Sequence, residues 1–498
     1  MLSATLSREP RNPIKTMRIL FALSLLAACC TLPGHAAQLH VGATTVDITP
    51  EEPVALAGQM RTRISTENAT RIHAVAVALE SRDGDKSLDH AVTVSCDLVA
   101  IREGILERLR ERLDGKLEGL DLNKVFLNAT HTHTGPVTRE NPNYTLPDSG
   151  LMRPPAYIEF LIDKLAEAVT ESWNNRQPGK MGYGQGQAVV AQNRRATYAD
   201  GSAKMYGKTN TPDFRTIEGR EDHNLDVLFF WNMQDELIAT VVNVPCPSQE
   251  VEGLSVIHAD FWDPVRSQLR KKHGENLHVV AWVGAAGDVV PRPMFDKKAD
   301  ERMRRLRGLT RLEEMARRVV RGWEEAYEVA KKEPVSDPVL HHRVETLELP
   351  LRAVTAEELA ATKAEMAKLE GDPKQITRYR WNQRVVEKHA AMESGEAEPY
   401  QMELHVLRLG DVAIGTNPFE LFTAYGDQMK ARSPAVQTFV IQLVGSGSYL
   451  PTSLAVRGGG YSAVIQSTKV GPVGGQKLVD ATVAEWLDIW GSEDGKSE

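Results

Sequence analysis

Apolar and polar residues alternate with two different periods along the chain, and these periods predict its secondary structure. Segments in which apolar residues alternate with polar ones, or form short β-branched runs, predict β-strands. Longer segments with apolar residues every three or four positions predict amphipathic helices. The predicted strands are 40–48, 74–79, 91–94, 124–128, 227–230, 238–244, 277–283, 403–409, 412–415 and 438–443, and the predicted helices are 101–117 and 155–173. This alternation favours a layered α/β fold of the mixed α+β kind.

Residues 296–395 differ from the rest because they are rich in charge and in helix-forming residues. Their apolar residues fall on one helical face, at Leu312, Met315, Ala316, Val319, Val320, Trp323 and Tyr327. The charged face is either solvated or a basic surface for anionic lipid head groups. We therefore predict a single domain, 38–490, that contains a charged and mostly helical insertion at 296–395.

The charge of the chain narrows the choice of partner. The 498 residues include 59 basic and 67 acidic side chains, which gives a net charge of −8. An acidic chain lacks the basic surface that binds phosphate backbones, so nucleic acid is not an expected partner.

The first 36 residues have the features of an export signal. Four basic residues precede an apolar run at 19–30, and small residues at 34–37 suit cleavage after Ala36. This run is shorter than the roughly 20 apolar residues of a transmembrane helix. The segment 26–29 (LAAC) also resembles a lipoprotein box. We therefore predict a signal peptide at 1–36 and a periplasmic or extracellular protein, either cleaved or anchored by a lipid on Cys29.

Two cysteines, Cys96 and Cys246, lie beyond this front segment. They could form a disulfide in an oxidising compartment, or remain as two buried thiols. They are too few for a thiolate zinc cluster.

Two segments that directly follow predicted strands are candidates for chemistry. In His131-Thr132-His133, alternate residues of an extended segment would point to one face, so two imidazoles could face one ion or substrate. In 284–288 (GAAGD), small residues let a ligand approach the backbone, and Asp288 would orient that ligand or cap a turn. Both segments could equally be ordinary loops.

Two further segments carry weaker signals of the same kind. Glu420 follows the predicted strand 412–415 and offers a carboxylate to a metal. The glycine-rich segment 445–461 contains Tyr449 and Tyr461, whose hydroxyls could point into a site or simply lie on the surface. The sequence has no GxSxG elbow, HExxH helix or phosphate-binding loop.

In this order, the four segments resemble the catalytic domain of the neutral/alkaline non-lysosomal ceramidases. The matching segments are 41–49, 56–58, 129–136 (ATHTHTGP), 286–289 (AGDV), 419–420, 448–452 (SYLPT) and Tyr461. The resemblance implies an enzyme of lipid metabolism that hydrolyses the amide of N-acyl sphingoid bases with one zinc ion.

The resemblance also assigns roles to individual residues. It makes His131, Glu420 and Tyr449 zinc ligands. It makes His133, Arg194 and Tyr461 the residues that position or polarise the amide carbonyl, with Asp288 in the Ala-Gly-Asp turn beside them.

The chain departs from the family pattern at two positions. The family's second histidine ligand lies in a Cys-His-Pro segment, whereas 246–249 here reads CPSQ. We expect His258 to complete the zinc site, with Glu250 or Asp260 as the alternatives. Val290 stands where the family has a serine, so no serine nucleophile is expected. The chain stops where the family's C-terminal immunoglobulin-like domain would begin, and we expect no such domain.

We therefore expect an exported zinc-dependent amidohydrolase that acts on ceramide or a related N-acyl lipid and contacts membranes peripherally. One alternative is a related hydrolase of a soluble ester, amide or glycan. The other is a non-catalytic binding protein of the cell envelope.

Overall fold

Two β-sheets packed face to face form the centre of the computed structural model, which describes residues 37–140 and 144–494. The strands are β1 (Gln38–Asp47), β2 (His73–Asp83), β3 (Lys86–Cys96), β4 (Val125–Ala129), β5 (Gln177–Gln187), β6 (Gln192–Asn193), β7 (Arg195–Tyr198), β8 (Ala203–Met205), β9 (Phe214–Ile217), β10 (Asn224–Asn232), β11 (Leu237–Val244), β12 (His278–Val283), β13 (Val289–Val290), β14 (Leu340–Leu349), β15 (Tyr400–Leu409), β16 (Val412–Thr416), β17 (Glu420–Leu421), β18 (Gln437–Ile441) and β19 (Tyr449–Leu450). The helices are α1 (Ile105–Leu113), α2 (Pro154–Asn174), α3 (Trp262–His273), α4 (Lys297–Arg307), α5 (Arg311–Ala330), α6 (Ala356–Leu369), α7 (Ile376–Ser394), α8 (Thr423–Arg432), α9 (Ser453–Gly458) and α10 (Pro472–Asp494). The described residues therefore have a mixed α/β fold, which confirms the predicted class.

The two large sheets both combine parallel and antiparallel pairs. In the described part of the chain, the larger sheet has eight strands in the order β12-β11-β10-β5-β1-β2-β3-β4, and the second has four in the order β14-β15-β16-β18. The pairs β3–β4, β11–β12 and β16–β18 are parallel. The two strands of a parallel pair run in the same direction, so their carboxyl ends lie at the same edge of the sheet.

Helices cover the outer face of each sheet. Helices α1 and α2 pack on β1–β4, and α3 and α5 pack on β10–β12. Helices α8 and α10 pack on the second sheet. Between the sheets lies an apolar layer that includes Val41, Val77, Phe126, Phe230, Trp282, Leu407, Ile414 and Phe439. The molecule is thus built in four layers, helix–sheet–sheet–helix.

Part of the predicted insertion belongs to these layers. The predicted apolar face of α5 is buried on the larger sheet, and its backbone lies very close to β5. A Cβ on Gly186 of β5 would lie 2.0 Å from the carbonyl oxygen of Gly322 in α5. The range 296–395 also contains β14 of the second sheet. Only part of this charged segment is therefore an addition to the fold, because α5 and β14 bury their apolar residues in its core.

Three other expectations can be compared with the structure. The helix predicted at 101–117 is shorter, because Gly104 has a φ of 84° and the preceding residues turn away from a helix. Cys96 and Cys246 are buried free thiols rather than a disulfide. No helix of the described residues is long and apolar enough to cross a membrane. The predicted signal peptide, with Cys29, lies outside the described residues.

Candidate active site

The loops that follow β3, β4, β16 and β18 line one cavity of about 250 Å³. All four strands belong to parallel pairs, and ligands of open α/β sheets bind outside the carboxyl ends of such strands. These loops contribute Val99, Ala100, Arg102, His131, His133, Val137, Thr138, Arg139, Pro418, Glu420, Leu443, Gly447 and Tyr449. Three of the four candidate segments of the sequence, those with His131, Glu420 and Tyr449, therefore meet at one place.

His131 and His133 lie in the loop after β4, where their rings meet edge to face. The ring centroids are 4.9 Å apart and the two Nε2 atoms are 3.3 Å apart. The loop is not extended as the spacing argument assumed, because His131 has a φ of 66°, a region that non-glycine residues rarely adopt. The hydroxyls of Thr132 and Thr134 hold this turn, each donating to the carbonyl of His258 at 2.8 Å.

A neutral His131 presents an unprotonated Nε2 to the cavity. Its Nδ1 lies 2.7 Å from the carbonyl oxygen of Val99, which can only accept, so Nδ1 carries the proton. Nε2 then faces Oε2 of Glu420 at 3.5 Å and Nε2 of His133 at 3.3 Å. Lone pairs at these distances repel each other unless a cation or a proton lies among them. A carbonyl behind the opposite ring nitrogen is typical of a metal-ligating histidine.

Glu420 and Tyr449 are neighbours because the short strands β17 and β19 pair in parallel with these two residues in register. Burial raises the pKa of the Glu420 carboxyl, but a protonated His131, the Tyr449 hydroxyl and Arg194 together outweigh burial and lower this pKa. Burial, reinforced by the Glu420 charge, raises the pKa of Tyr449 well above its ordinary value. The pair therefore consists of a charged carboxylate and a protonated phenol.

Arg194 holds Tyr449 from behind the cavity wall. Its Nη2 donates to the Tyr449 hydroxyl at 3.1 Å and to the Gly287 carbonyl at 3.0 Å. Its Nη1 lies 3.3 Å from the Tyr206 hydroxyl and 3.4 Å from Oε1 of Gln249. The guanidinium is buried; both terminal nitrogens are engaged within the protein, and Nε has no hydrogen-bond partner among the described residues. In this structure Arg194 fixes the position of Tyr449 and does not line the cavity.

Two residues that sequence reasoning missed, Gln249 and Glu252, contact His133. The oxygen of Gln249 faces Arg194, which can only donate, so the Gln249 nitrogen faces Nε2 of His133 at 2.7 Å. Oε2 of Glu252 lies 3.3 Å from Nδ1 on the other side of the ring. Burial lowers the pKa of His133 to about 4 although Glu252 opposes this shift. The signal for both residues was their place just after Cys246, where the resemblance expected a histidine.

Tyr461 and Asp288 differ in their relation to the cavity. Tyr461 lines it, with its ring 5.8 Å from that of Tyr449 and stacked at 5.8 Å on Trp381 of α7. The carboxylate of Asp288 instead accepts the amide and hydroxyl of Thr423 at 2.8 Å each, and the side-chain amide of Asn193 at 2.9 Å. Asp288 therefore fixes the turn after β12, as a cap would.

The residues expected to complete a zinc site also lie away from the cavity. Nδ1 of His258 accepts a hydrogen bond from the Asp260 amide at 2.9 Å, and the carboxylate of Asp260 accepts from two further backbone amides. Oε2 of Glu250 lies 3.8 Å from each of two arginines. The structure thus does not bring His258, Asp260 or Glu250 to His131. Val290 is buried and pairs with β6.

The donors that a metal could use at this site are few. No group of three histidine, cysteine, aspartate or glutamate side chains in the described residues could hold a metal ion. His131 and Glu420 supply two donors, and the Tyr449 hydroxyl is the third. Nε2 of His131 and Oε2 of Glu420 are 3.5 Å apart. Two ligands of one tetrahedral zinc ion, each at a bond length of ~2.1 Å, lie about 3.4 Å apart. The donor set is therefore compatible with a zinc ion held by three protein ligands, one of them a phenol.

Known proteins share both sequence and fold with this chain. No protein-family model matches it. The neutral ceramidase of Pseudomonas aeruginosa is 26% identical over 249 residues, which are 49% of this chain and 34% of that protein. Its crystal structure superposes with a TM-score of 0.64 at 19% identity, over 90% of this chain and 74% of the other. The chain is a distant relative of neutral ceramidase.

A second solved structure agrees with this relationship. A ceramidase complexed with C2 superposes with a TM-score of 0.63 at 17% identity, over 90% of this chain and 74% of the other. The resemblance seen in the sequence is thus confirmed, and the fold is shared with neutral ceramidase. The sequence match spans only about a third of the curated relative's length.

Proposed function

We propose that the protein is an exported amidohydrolase that uses zinc to cleave the amide bond of ceramide or a related N-acyl lipid. The observation that carries this proposal is the meeting of His131, Glu420, Tyr449 and Tyr461 in one cavity. The distant relationship to neutral ceramidase supports the reaction class. Export rests on residues 1–36, and sequencing the mature N-terminus would distinguish cleavage after Ala36 from a lipid-bearing Cys29.

His131, Glu420 and Tyr449 would hold the zinc ion in this proposal. Three protein ligands are the usual number for a catalytic zinc, which keeps one position open. When bound, zinc would supply Lewis acidity toward the amide carbonyl and toward water. The Val99 carbonyl keeps Nε2 of His131 free of a proton, and Arg194 holds the Tyr449 hydroxyl in place.

His133 is the proton carrier that the site offers. Its imidazole is neutral at physiological pH because burial lowers its pKa to about 4. Nε2 of His133 accepts a hydrogen bond from the side-chain amide of Gln249, and Nδ1 faces the carboxylate of Glu252. That carboxylate would stabilise the ring when Nε2 takes a proton from the water that attacks the amide and passes it to the leaving amine.

Tyr461 is the donor that would stabilise negative charge on the amide oxygen. Burial raises the pKa of its hydroxyl to about 12, so the proton stays in place to be donated. Its position beside Tyr449 puts it in the same cavity as the donors of the zinc site. Loss of one such donor commonly lowers kcat by about 10²-fold or more.

The test is release of fatty acid from a fluorescent ceramide and from a panel of N-acyl amides, esters and glycans. We expect turnover of the amides by the wild-type protein and its loss in His131→Ala. His389→Ala, a change on α7 outside the cavity, is the matched control and should retain turnover. Hydrolysis of esters or glycans without any of the amides would contradict the proposal.

A further inference from the structure

Three arginines, Arg102, Arg139 and Arg384, line the active-site cavity, where the charge of Glu420 offsets part of the charge of Arg102. None of them forms a hydrogen bond or an ion pair with another residue in the ranges 37–140 and 144–494. Glu420 is the one carboxylate among the described residues of the wall, and it faces His131 and Tyr449. The wall therefore carries an excess of positive charge.

Four arginines elsewhere in the protein, buried or partly buried, pair closely with carboxylates. Such pairs, with nitrogen–oxygen distances of 2.5–2.6 Å, are Arg110–Glu403, Arg195–Glu218, Arg266–Asp97 and Arg352–Glu358. Arg102 is partly buried in the cavity wall, whereas Arg139 and Arg384 remain accessible to solvent. The three cavity arginines lack the close carboxylate partner that these four have, so their donors are available to a ligand that enters the cavity.

The three arginines come from three separate elements and still influence one another. Arg102 follows β3, Arg139 follows β4, and Arg384 lies on α7. Burial, and after it the charge of Arg139, lowers the pKa of Arg102 to about 10. Burial and the charge of Arg384 lower the pKa of Arg139 in turn. Lys469, on an adjoining cavity that shares Arg102, faces the same three charges and the opposing charge of Glu103.

Helix α7 is oriented so that Arg384 faces the site. Thr377, Trp381 and Arg384 line the cavity and are spaced by four and three residues, which places them on one face of the helix. Trp381 stacks on Tyr461, so this face lies directly against the predicted oxyanion donor. A ligand held by Arg384 would therefore share the cavity with the reacting amide.

We propose that Arg102, Arg139 and Arg384 form an anion-binding subsite of the active-site cavity, and that the substrate is an N-acyl amide bearing a phosphate, sulfate or carboxylate group. This inference rests on the proposed amide hydrolysis and narrows its substrate class. A guanidinium donates two parallel hydrogen bonds to such an oxyanion. The bound anion also neutralises the repulsion among the three arginines, whereas an uncharged ceramide leaves them unpaired.

The test measures binding and does not depend on turnover. Isothermal titration compares the phosphate ester of N-octanoylethanolamine with uncharged N-octanoylethanolamine on the full chain. We expect the phosphate to bind at least about tenfold more tightly at low salt, and this ratio to shrink as ionic strength rises. Arg139→Gln and Arg384→Gln should each weaken phosphate binding about tenfold, because each removes a charge-assisted hydrogen bond to the phosphate.

Arg378→Gln is the matched control, because Arg378 lies on the same helix and pairs with Glu365 at 2.8 Å. It should keep the wild-type ratio of affinities. Equal affinity for the two compounds, or phosphate affinity unchanged in both cavity variants, would overturn the subsite even if amides are hydrolysed. Selective phosphate binding without hydrolysis of either compound would support the subsite and contradict the proposed amide hydrolysis.

A vesicle assay distinguishes an anion on the substrate from an anion of the membrane surface. Ceramide is presented in phosphatidylcholine vesicles with and without phosphatidylglycerol. If the anion belongs to the substrate, the arginine variants lose their preference for the soluble phosphate compound, and phosphatidylglycerol does not accelerate ceramide turnover through these arginines. If phosphatidylglycerol accelerates ceramide turnover through these arginines and the soluble phosphate has no advantage, the cluster contacts the membrane and the substrate subsite is wrong.

Discussion

His131 and His133 lie two positions apart in one loop, and their different surroundings suit them to different tasks. The Val99 carbonyl takes the Nδ1 proton of His131, so its Nε2 lone pair faces the cavity. His133 is instead held between the amide of Gln249 and the carboxylate of Glu252. A fixed lone pair suits a metal ligand, and a neutral ring with a carboxylate behind it suits a proton carrier.

Replacing Gln249 with alanine should destabilise the fold and slow the reaction. The change removes the donor to Nε2 of His133 and leaves Nη1 of Arg194 with the Tyr206 hydroxyl alone, which costs about 1–3 kcal/mol. Urea unfolding measures the loss, and Gln234→Ala at an exposed turn serves as the control. Equal unfolding free energies for Gln249→Ala and the wild type would show that these contacts do not stabilise the site.

Sequence reasoning found the residues that follow strand ends and missed those that depend on tertiary contacts. His131, His133, Glu420, Tyr449 and Tyr461 could be selected because each lies in a short segment of distinctive composition, and all five line the cavity. Gln249 contacts His133 across 116 positions of sequence, and no local pattern marks such a contact. The arginine cluster likewise appears only when three distant segments are brought together.

At the scale of elements, the close approach of α5 to β5 holds a helix layer against the larger sheet. Glycines allow this approach, since a Cβ on Gly184 would lie 2.6 Å from the carbonyl oxygen of Ala326. The amphipathic pattern of α5 predicted its buried face, but it could not show which strands that face covers. The pattern also could not show that β14 joins the second sheet, because strand pairing depends on partners far away in sequence.

Gly186→Ala should therefore destabilise the protein by about 1–3 kcal/mol. The added methyl group would lie 2.0 Å from the carbonyl oxygen of Gly322, so α5 would have to move away from the sheet. Thermal unfolding checks this expectation. Gly491→Ala, where nothing lies within 4 Å of the added methyl group, is the control and should not destabilise. A Gly186→Ala protein as stable as the wild type would refute the tight packing of this layer.

At the scale of the whole molecule, buried ionisable groups make stability depend on pH in opposing directions. Burial lowers the pKa of His73 and of His278 to about 4. The unfolded state therefore binds protons between pH 6.5 and 4 that the fold does not, and stability falls as pH falls through this window. Burial raises the pKa of Glu250 to about 7 and that of Asp260 to about 6. These two carboxyls reduce stability as pH rises through their own windows.

Glu250→Gln isolates one of these contributions. The fold keeps the Glu250 proton up to about pH 7, whereas the unfolded chain loses it near pH 4.5, so ionisation disfavours the fold as pH rises. Glutamine cannot ionise, and its unfolding free energy relative to the wild type should therefore increase between pH 5 and pH 8. Urea denaturation at both pH values, with exposed Glu345→Gln as the control, measures this change. The same difference at both pH values would contradict the raised pKa.

The layered class of the molecule followed from the alternation of strand and helix patterns, but its topology did not. The sheet order places β5 between β10 and β1 and sets parallel pairs at both edges. These pairings bring the loops after β3, β4, β16 and β18 together and so create the cavity. The candidate site is therefore a property of the whole fold, although its individual segments could be identified in the sequence.

The zinc content of the purified protein tests the central proposal most directly. Metal analysis of the wild type by mass spectrometry should find about one zinc ion per chain, as expected for a site with three protein ligands. His131→Ala and Glu420→Gln should lose most of it, and His389→Ala should retain it. A folded wild-type protein that remains without stoichiometric zinc after exposure to the metal would contradict the account.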